Sequence, residues 1–305
     1  MTMAGSVTVM EVSPRDGLQN EAVILSTDDK LTLIHRALAA GLKRIEVTSF
    51  VHPTRVPQMA DAEAVCRGLP QHGDVTYAGL ILNRRGYDRA RATERLQEVG
   101  MVVPASDTFG SRNQGQSIDD SVTVGCEILR DAARRGLRAT ATIAVAFGCP
   151  FEGEVAVARV LDIAKRLADA GPVEIALADT IGVGVPGQVL ELFGALRNSL
   201  GALPLRAHFH NTRNTGIANA FAALQVGVET LDASIGGIGG CPFAPKATGN
   251  IATEDLIYML DRMRIGHAGV LDSVIETSHW LGGVLGKDLP AMVSRAGGFP
   301  SGATN

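Results

Sequence analysis

The sequence has few cysteines, few aromatic residues and no excess of positive charge. Four cysteines, Cys66, Cys126, Cys149 and Cys241, occur among 305 residues without a C-x-x-C pair. This spacing argues against a disulfide framework and favours reduced thiols in the cytoplasm. A net charge of −4 with 4% aromatic residues lacks the basic stripe and stacking platforms of a nucleic-acid surface. We therefore expect no nucleic-acid partner.

Long apolar runs are also missing. No run is long enough to cross a bilayer, and the first ten residues, MTMAGSVTVM, lack the basic start of a signal peptide. The expectation is a cytoplasmic protein with no membrane partner. With 46% apolar and 20% charged residues, the composition is that of a globular protein with a sizeable core.

Glycines recur at the spacing of one strand plus one helix. Between 26 and 36 residues separate Gly41, Gly73, Gly100, Gly136, Gly171, Gly201 and Gly227. Each follows a helical or loop pattern and precedes an apolar run by a few residues, and a glycine at the end of a helix supplies the left-handed conformation. The runs have the composition of parallel strands buried on both faces: Val7–Val12, Arg44–Ser49, Val75–Leu82, Met101–Ala105, Ala139–Phe147, Val173–Thr180, Leu205–Asn211 and Thr230–Ile235.

The segments between these runs have helical patterns. Apolar residues recur at helical spacing from Val157 to Ala168, and Thr27 and Ser117 are expected to cap two other helices. Eight alternating units predict one closed (β/α)8 TIM barrel over residues 1–260, with a short C-terminal helical extension, residues 261–305, packed on it. A doubly wound sheet would need a G-x-G-x-x-G motif after the first strand, where this chain has Ser-Pro-Arg-Asp.

Two histidines at the end of the seventh strand predict a metal site. His208 and His210 are two residues apart, so a strand presents both imidazoles on one face. Barrel closure brings Asp16, after the first strand, beside them. Such a ligand set suits Mg²⁺, Mn²⁺ or Co²⁺ and leaves positions open for a substrate. The alternative for Asp16 is a salt bridge to Arg15 or a helix cap.

Other polar residues follow the same ends of the strands, where barrels of this kind carry their active sites. They are Arg15, Gln19, Asn20, Glu46, Thr48, Ser49, Asp179, Thr180, Asn211 and Asn250. Cys241 follows the glycine-rich stretch Gly236–Gly240, which would hold a reactive thiol over the site or a phosphate; a buried, inert cysteine is the third alternative. Glu46 is either paired with Arg44 or part of the site, and Cys149 is interpreted as structural.

These residues resemble the 3-hydroxy-3-methylglutaryl-CoA lyase family, within the Claisen-type lyase and synthase TIM barrels. The GGIGGCPFA stretch, followed by GN and ATEDL, is the most specific part, whereas RDGLQ alone is shared with synthases. The matching stretches run from residue 11 to residue 260: Glu11–Asn20 (EVSPRDGLQN), Ile45–Phe50 (IEVTSF), Val56–Met59 (VPQM), Gly148–Gly153 (GCPFEG), Asp179–Gly184 (DTIGVG), His208–His210 (HFH) and Gly236–Leu260.

The resemblance implies a carbon–carbon lyase that cleaves an acyl-CoA substrate to acetyl-CoA and a keto acid, acetoacetate in the parent reaction of leucine catabolism and ketone-body formation. The implied ligands of a divalent cation (Mg²⁺ or Mn²⁺, with Co²⁺ or Zn²⁺ as alternatives) are Asp16, His208, His210 and Asn250. The implied catalytic residues are Cys241, which moves the proton, Arg15, which stabilises the enolate, Glu46 and the supporting Asp179. The residues expected to bind the substrate are Arg15, Gln19, Ser49 and Arg213. A homodimer is expected because such dimers are the commonest oligomers.

Three positions depart from the family pattern. Asn211 replaces the usual aspartate after the second histidine, Arg213 adds a cation, and Ala176 stands where the family usually has serine. The hypothesis is that lyase chemistry is kept but the preferred 3-hydroxyacyl-CoA differs, citramalyl-CoA being one candidate. The competing functions are an acyl-CoA/α-keto acid condensing synthase, a 4-hydroxy-2-oxo acid aldolase and an inactive barrel kept for binding. Only 45 residues follow Leu260, which argues against the regulatory domain that such synthases carry.

Overall fold

Eight strands close into a barrel in the computed structural model of the protein, which describes residues 5–240 and 249–300. Every neighbouring pair in this part of the chain is parallel, and β1 completes the ring against β8. The strands are β1 (Thr8–Glu11), β2 (Arg44–Ser49), β3 (Thr76–Ile81), β4 (Glu98–Pro104), β5 (Arg138–Ala144), β6 (Glu174–Asp179), β7 (Leu205–Phe209) and β8 (Thr230–Ala233).

Helices follow the strands and surround the barrel, so the predicted (β/α)8 TIM barrel is confirmed. They are α1 (Thr27–Ala39), α2 (Ala62–Gly68), α3 (Arg84–Ala92), α4 (Asp107–Asn113), α5 (Ile118–Arg134), α6 (Val157–Ala168), α7 (Pro186–Leu200), α8 (Gly216–Gln225), α9 (Thr253–Met263), α10 (Leu271–Leu285) and α11 (Val293–Ala296). A π-helical turn spans Ser13–Gly17, and short 3₁₀ turns span Pro57–Met59 and Ile235–Gly237.

Two details of the predicted helix ends were wrong. Ser26, and not Thr27, caps α1, because the Ser26 hydroxyl accepts a hydrogen bond from the Asp29 N–H at 3.1 Å. Gly100 does not end a helix; it lies within β4 and faces the barrel interior, where a Cβ would lie 3.7 Å from the Glu46 carboxylate. Its missing side chain therefore leaves space inside the barrel.

The main apolar core lies between the strands and the helices, where Ile45, Phe193 and Phe209 are fully buried. The barrel interior is mostly polar. On the inward side a small apolar cluster of Met10, Val12 and Ala78 accompanies several buried charged residues.

Arg44 is the centre of a lower charged layer, at the amino-terminal ends of the strands. Its guanidinium donates to Glu174 at 2.8 and 3.0 Å and to Glu98 at 2.8 Å. Thr230 also donates to Glu174 at 2.7 Å. Burying a charge is costly unless it is paired and hydrogen-bonded, and here one cation on β2 satisfies carboxylates on β4 and β6. These bonds hold three strands together across the interior.

The C-terminal helices pack against the start of the chain. Val270, just before α10, donates to the Ala40 carbonyl at 2.8 Å, and the Arg36 guanidinium of α1 lies 5.0 Å from the Trp280 ring centroid of α10. The division predicted after residue 260 falls within α9. Among the described residues, no helix combines the length and the apolar character needed to cross a bilayer.

The Arg44 layer leads to a stability prediction. Arg44→Met leaves two buried carboxylates without their cation and should lower the free energy of unfolding by about 3–5 kcal/mol, measured by urea denaturation. Lys43→Met is the matched control, because the Lys43–Asp74 ion pair is exposed and its loss should have no measurable effect. Equal effects of the two substitutions would contradict the assignment.

Candidate metal centre and active-site cavity

Asp16, His208 and His210 meet at the carboxyl end of the barrel. The Nε2 atoms of His208 and His210 lie 3.8 and 3.6 Å from Asp16 Oδ2. One donor atom from each of the three residues lies within 4.8 Å of the others, and this is the only such group among the described residues. The cluster predicted from the sequence is therefore assembled, and its size suits one metal ion.

Strand order explains this meeting. Asp16 lies in the turn that follows β1, the histidines end β7, and both strands pair with β8. His210 also forms an isolated bridge with Asn250, and the Asn211 N–H donates to the Gly249 carbonyl at 2.9 Å. The chain after the glycine loop thereby returns to the end of β7, and Asn250 reaches the cluster.

Asn250 fits the role of a further ligand. Its side-chain amide donates to Asp16 Oδ2 at 2.8 Å and to the Ile238 carbonyl at 3.0 Å. Its Oδ1 is buried and has no hydrogen-bond partner among the described residues, as is also true of His210 Nδ1. A carboxylate, two imidazoles and an unsatisfied amide oxygen form a donor set that fits a divalent cation.

Asp232, which the sequence analysis missed, orients His208. Its Oδ2 lies 3.1 Å from His208 Nδ1, so the Nε2 atom of that ring faces Asp16. Although burial opposes the shift, the hydrogen bond to Asp232 and the charge of Asp16 raise the pKa of His208. A lone acid inside the apolar run Thr230–Ile235 was the signal that should have drawn attention to it.

Arg15 connects the metal cluster to Glu46. Its Nε donates to Glu46, and its Nη1 donates to Asp16 Oδ1 at 2.5 Å. Burial acts to raise the pKa of the Asp16 carboxyl, but Arg15 and the two imidazoles outweigh it and hold this pKa well below its usual value. Burial raises the pKa of the Glu46 carboxyl. Glu46 therefore pairs with Arg15 and not with Arg44, and Asp16 has both an arginine partner and a place in the cluster.

Three of the other predicted site residues differ in whether they line the cavity. Gln19 lines the cavity and accepts a hydrogen bond from the buried Ser49 hydroxyl at 3.4 Å. Asp179 accepts from the Val183 and Gly184 N–H groups at 2.9 Å and so fixes the loop after β6. Burial raises the pKa of Asp179. Ser49 and Asp179 do not line the cavity; they support residues around it.

Arg213, predicted to bind the substrate, contacts the loop after β6. Its guanidinium donates to the carbonyls of Ile181 and Gly182 at 3.1 and 2.8 Å, and it is not among the residues that line the cavity. Asn211 is also used locally, because its Oδ1 accepts from the Gly216 N–H at the start of α8. Ile181 and Gly182 are buried, and buried backbone carbonyls need donors, which Arg213 supplies.

The glycine loop after β8 packs directly on the cluster. A Cβ on Gly239 (φ +111°) would lie 2.5 Å from Asn250 Nδ2, and a Cβ on Gly236 (φ +75°) would lie 2.3 Å from Leu289 Cδ1. The buried Glu254 accepts from the Gly236 N–H at 3.0 Å and from Ser294 of α11 at 2.5 Å. Close packing and a positive φ therefore both favour glycine at positions 236 and 239. Cys241, the predicted catalytic thiol, lies outside the described residues.

Cys149, interpreted as structural, is buried in the loop after β5. Its Sγ lies 3.0 Å from the Ser106 hydroxyl and accepts from the Phe151 N–H at 3.4 Å. The thiol is thus used within the loop.

A cavity of about 1450 Å³ opens from the metal cluster toward the loops after β2, β3 and β4. Arg15, Asp16, Glu46, His208 and His210 line its inner end. Arg206 also lines it, and five further arginines come from the segments after β2, β3 and β4: Arg55, Arg84, Arg85, Arg89 and Arg112.

Comparisons with known proteins find full-length relatives. Residues 6–280 match the family described as HMGL-like. The chain is 43% identical to the (R)-citramalyl-CoA lyase of Chloroflexus aurantiacus, covering 96% of this chain and 95% of the relative. It is 40% identical to the hydroxymethylglutaryl-CoA lyase YngG of Bacillus subtilis, covering 93% and 95%. The structure of an HMG-CoA lyase from Acinetobacter baumannii, in complex with coenzyme A and 3-methylmalate, superposes with a TM-score of 0.93 at 38% identity, covering 99% and 98%.

The Asp232 contact generates a prediction about metal affinity. Asp232→Asn weakens the acceptor that orients His208 and should reduce Mn²⁺ affinity by about 10–100-fold, measured by electron paramagnetic resonance of free Mn²⁺. Asp162→Asn, at an exposed site on α6, is the control. Unchanged affinity in the Asp232 variant would mean that this carboxylate does not orient a metal ligand.

Glu11 generates a prediction about pH. Its buried carboxylate accepts from the Ser13 N–H, the Ile235 N–H and the Thr253 hydroxyl at 2.8, 3.0 and 2.6 Å, and burial raises its pKa to about 7. Because the folded protein holds this proton more tightly than the unfolded chain, its stabilising effect is complete below the unfolded pKa and disappears as the pH rises through about 7.

Glu11→Gln should therefore lose less stability than the wild type between about pH 5 and pH 8, followed by urea denaturation. Glu276→Gln, at an exposed position of α10, should retain the pH dependence of the wild type. Parallel curves for the wild type and the Glu11 variant would assign the titration to another group.

Proposed function

The chain belongs to the HMGL-like family, and from that membership we propose that it is a divalent-cation-dependent carbon–carbon lyase acting on a 3-hydroxyacyl-CoA thioester. The predicted family and the lyase class are confirmed by the full-length matches. The substrate is a 3-hydroxy-3-methylglutaryl-CoA-like thioester, cleaved to acetyl-CoA and acetoacetate. Citramalyl-CoA, named for the 43% identical relative, is the second candidate, and the same cleavage of it leaves pyruvate.

The observation that carries this proposal is the convergence of Asp16, His208 and His210 at the inner end of the large cavity. With Asn250 they would hold Mg²⁺ or Mn²⁺, with Co²⁺ or Zn²⁺ as alternatives. Such an ion, when bound, supplies Lewis-acid catalysis. Asp232 keeps His208 turned toward the ion position, and Arg15 keeps Asp16 ionised.

Arg15 is the residue proposed to stabilise the enolate. Glu46 and Asp16 fix two of its nitrogens, and the guanidinium lines the cavity, so its remaining N–H groups can donate to a developing oxyanion. A donor fixed in advance stabilises such charge without reorganisation. Cys241 is proposed to carry the proton to the enolate carbon, while Asp179 and Ser49 act by fixing the surrounding loop and Gln19.

The outer part of the cavity suits coenzyme A. Arg55, Arg84, Arg85 and Arg112 are exposed at its lining, and arginine binds phosphate groups with charge-assisted hydrogen bonds. One continuous cavity extends from these arginines to the metal cluster. A thioester with its phosphates outside and its acyl group inside therefore fits the distribution of charge.

The test is release of acetyl-CoA by the purified protein. With Mn²⁺ or Mg²⁺ present, 3-hydroxy-3-methylglutaryl-CoA and citramalyl-CoA should be cleaved, and the ratio of kcat/KM values identifies the preferred substrate. EDTA should abolish turnover, and added Mn²⁺ should restore it. His210→Ala should lower kcat/KM by on the order of 100-fold or more, because an ion ligand is lost.

Full activity after exhaustive chelation would overturn the metal-dependent mechanism. Condensation of acetyl-CoA with a keto acid, without cleavage, would instead favour the synthase. Assembly as a homodimer stays a prediction, which analytical ultracentrifugation would test.

A further inference from the structure

Arg206 lies inside the barrel one layer below the histidines, and neither the metal cluster nor the Arg15 contacts use it. It precedes His208 by two residues on β7 and therefore faces the same way. Its side chain is 4% exposed and lines the inner end of the cavity. A cation at the end of a substrate cavity can contact the part of the substrate that enters deepest.

Ala176 lies between Arg206 and its hydrogen-bond partner Thr142 in the strand register. Thr142 of β5, Ala176 of β6 and Arg206 of β7 are consecutive partners in the strand register. The Arg206 side chain passes over Ala176, and its Nη2 donates to the Thr142 hydroxyl at 2.9 Å. Gly100 and Ala178 are small residues of the same cavity lining. A serine at position 176 would add a hydroxyl to this path, so the departure from the family pattern coincides with the course of the arginine.

Arg206 and Arg44 differ in the acceptors that their η nitrogens contact. Arg44 makes three bonds to carboxylates at 2.8–3.0 Å. Among the described residues, the η nitrogens of Arg206 meet only the Thr142 hydroxyl and the Met10 sulfur, a weak acceptor. Its Nε, like that of Arg44, has no hydrogen bond among the described residues, and the nearest carboxylates, on Asp232 and Glu174, lie 3.5 and 3.7 Å from it. A guanidinium offers five N–H donors, so several N–H groups of this buried cation have no strong acceptor among the described residues.

We propose that Arg206 binds the carboxylate at the end of the substrate's acyl group and so makes the enzyme selective for carboxylated 3-hydroxyacyl-CoA thioesters. This inference rests on the proposed function. An acyl carboxylate completes the hydrogen bonding of the η nitrogens with the bidentate geometry that arginine favours. Arg213, the residue predicted from the sequence for this task, uses its guanidinium for loop carbonyls outside the cavity.

The test uses two thioesters that differ only in this carboxylate, 3-hydroxyglutaryl-CoA and 3-hydroxybutanoyl-CoA. Their affinities are measured with Mn²⁺ present as inhibition constants against cleavage of 3-hydroxy-3-methylglutaryl-CoA. The wild type should prefer the carboxylated thioester, and Arg206→Gln should weaken its binding on the order of 100-fold while changing the other by less than about threefold. Arg206→Lys should retain part of the preference, because it keeps the charge but not the planar fork.

Two further variants keep the result decisive. Ala176→Val obstructs the path of Arg206 without removing its charge, and it should reduce the same preference. Arg213→Gln should leave the preference unchanged. A wild type with no preference, or an Arg206→Gln variant that weakens both thioesters equally, overturns the inference and leaves Arg206 a counter-charge for Asp232 and Glu174. If neither thioester binds the wild type, the proposed function fails instead.

Discussion

The pairing of β1 with β8 is the constraint on which the site depends. It joins the two ends of the sheet, and it places the turn that carries Asp16 against the histidines that end β7. The Asp16 carboxylate then serves two neighbours, because it accepts from Arg15 on one oxygen and from Asn250 on the other. Without ring closure these groups would lie at opposite edges of an open sheet.

Close backbone packing of the loop after β8 also fixes the metal cluster. The loop after β8 approaches Asn250 and Asp16 so closely that Gly239 has no room for a side chain. Glu254 then connects this loop to Ser294 in the last helix. The C-terminal segment therefore takes part in holding the loop that leads to Cys241, which gives the helices after the barrel a physical connection to the site.

Buried charges have two different roles at two depths of the barrel. Arg44, in the lower layer, donates three hydrogen bonds from its η nitrogens to the carboxylates of Glu98 and Glu174. Removing one member of such a buried set leaves its partners charged and unpaired. The η nitrogens of Arg206, one layer higher, donate only to the uncharged Thr142 hydroxyl and Met10 sulfur among the described residues, and Arg206 borders the cavity. The difference in hydrogen bonding, and not the residue type, separates a structural arginine from one available to a ligand.

The sequence by itself determined the barrel and the family, because strand spacing, glycine spacing and motifs are local patterns. Closure of the predicted barrel then implied that Asp16 meets the i, i+2 pair His208 and His210. Only the tertiary structure decided that Glu46 pairs with Arg15 and that Asp232 orients His208. It also decided that Arg213 donates to loop carbonyls whereas Arg206 lines the cavity. The reason is that a long buried side chain takes its partner from another strand: Arg206 and Met10 are 196 positions apart in the chain. No spacing rule relates such residues; barrel closure and the space left by Ala176 do.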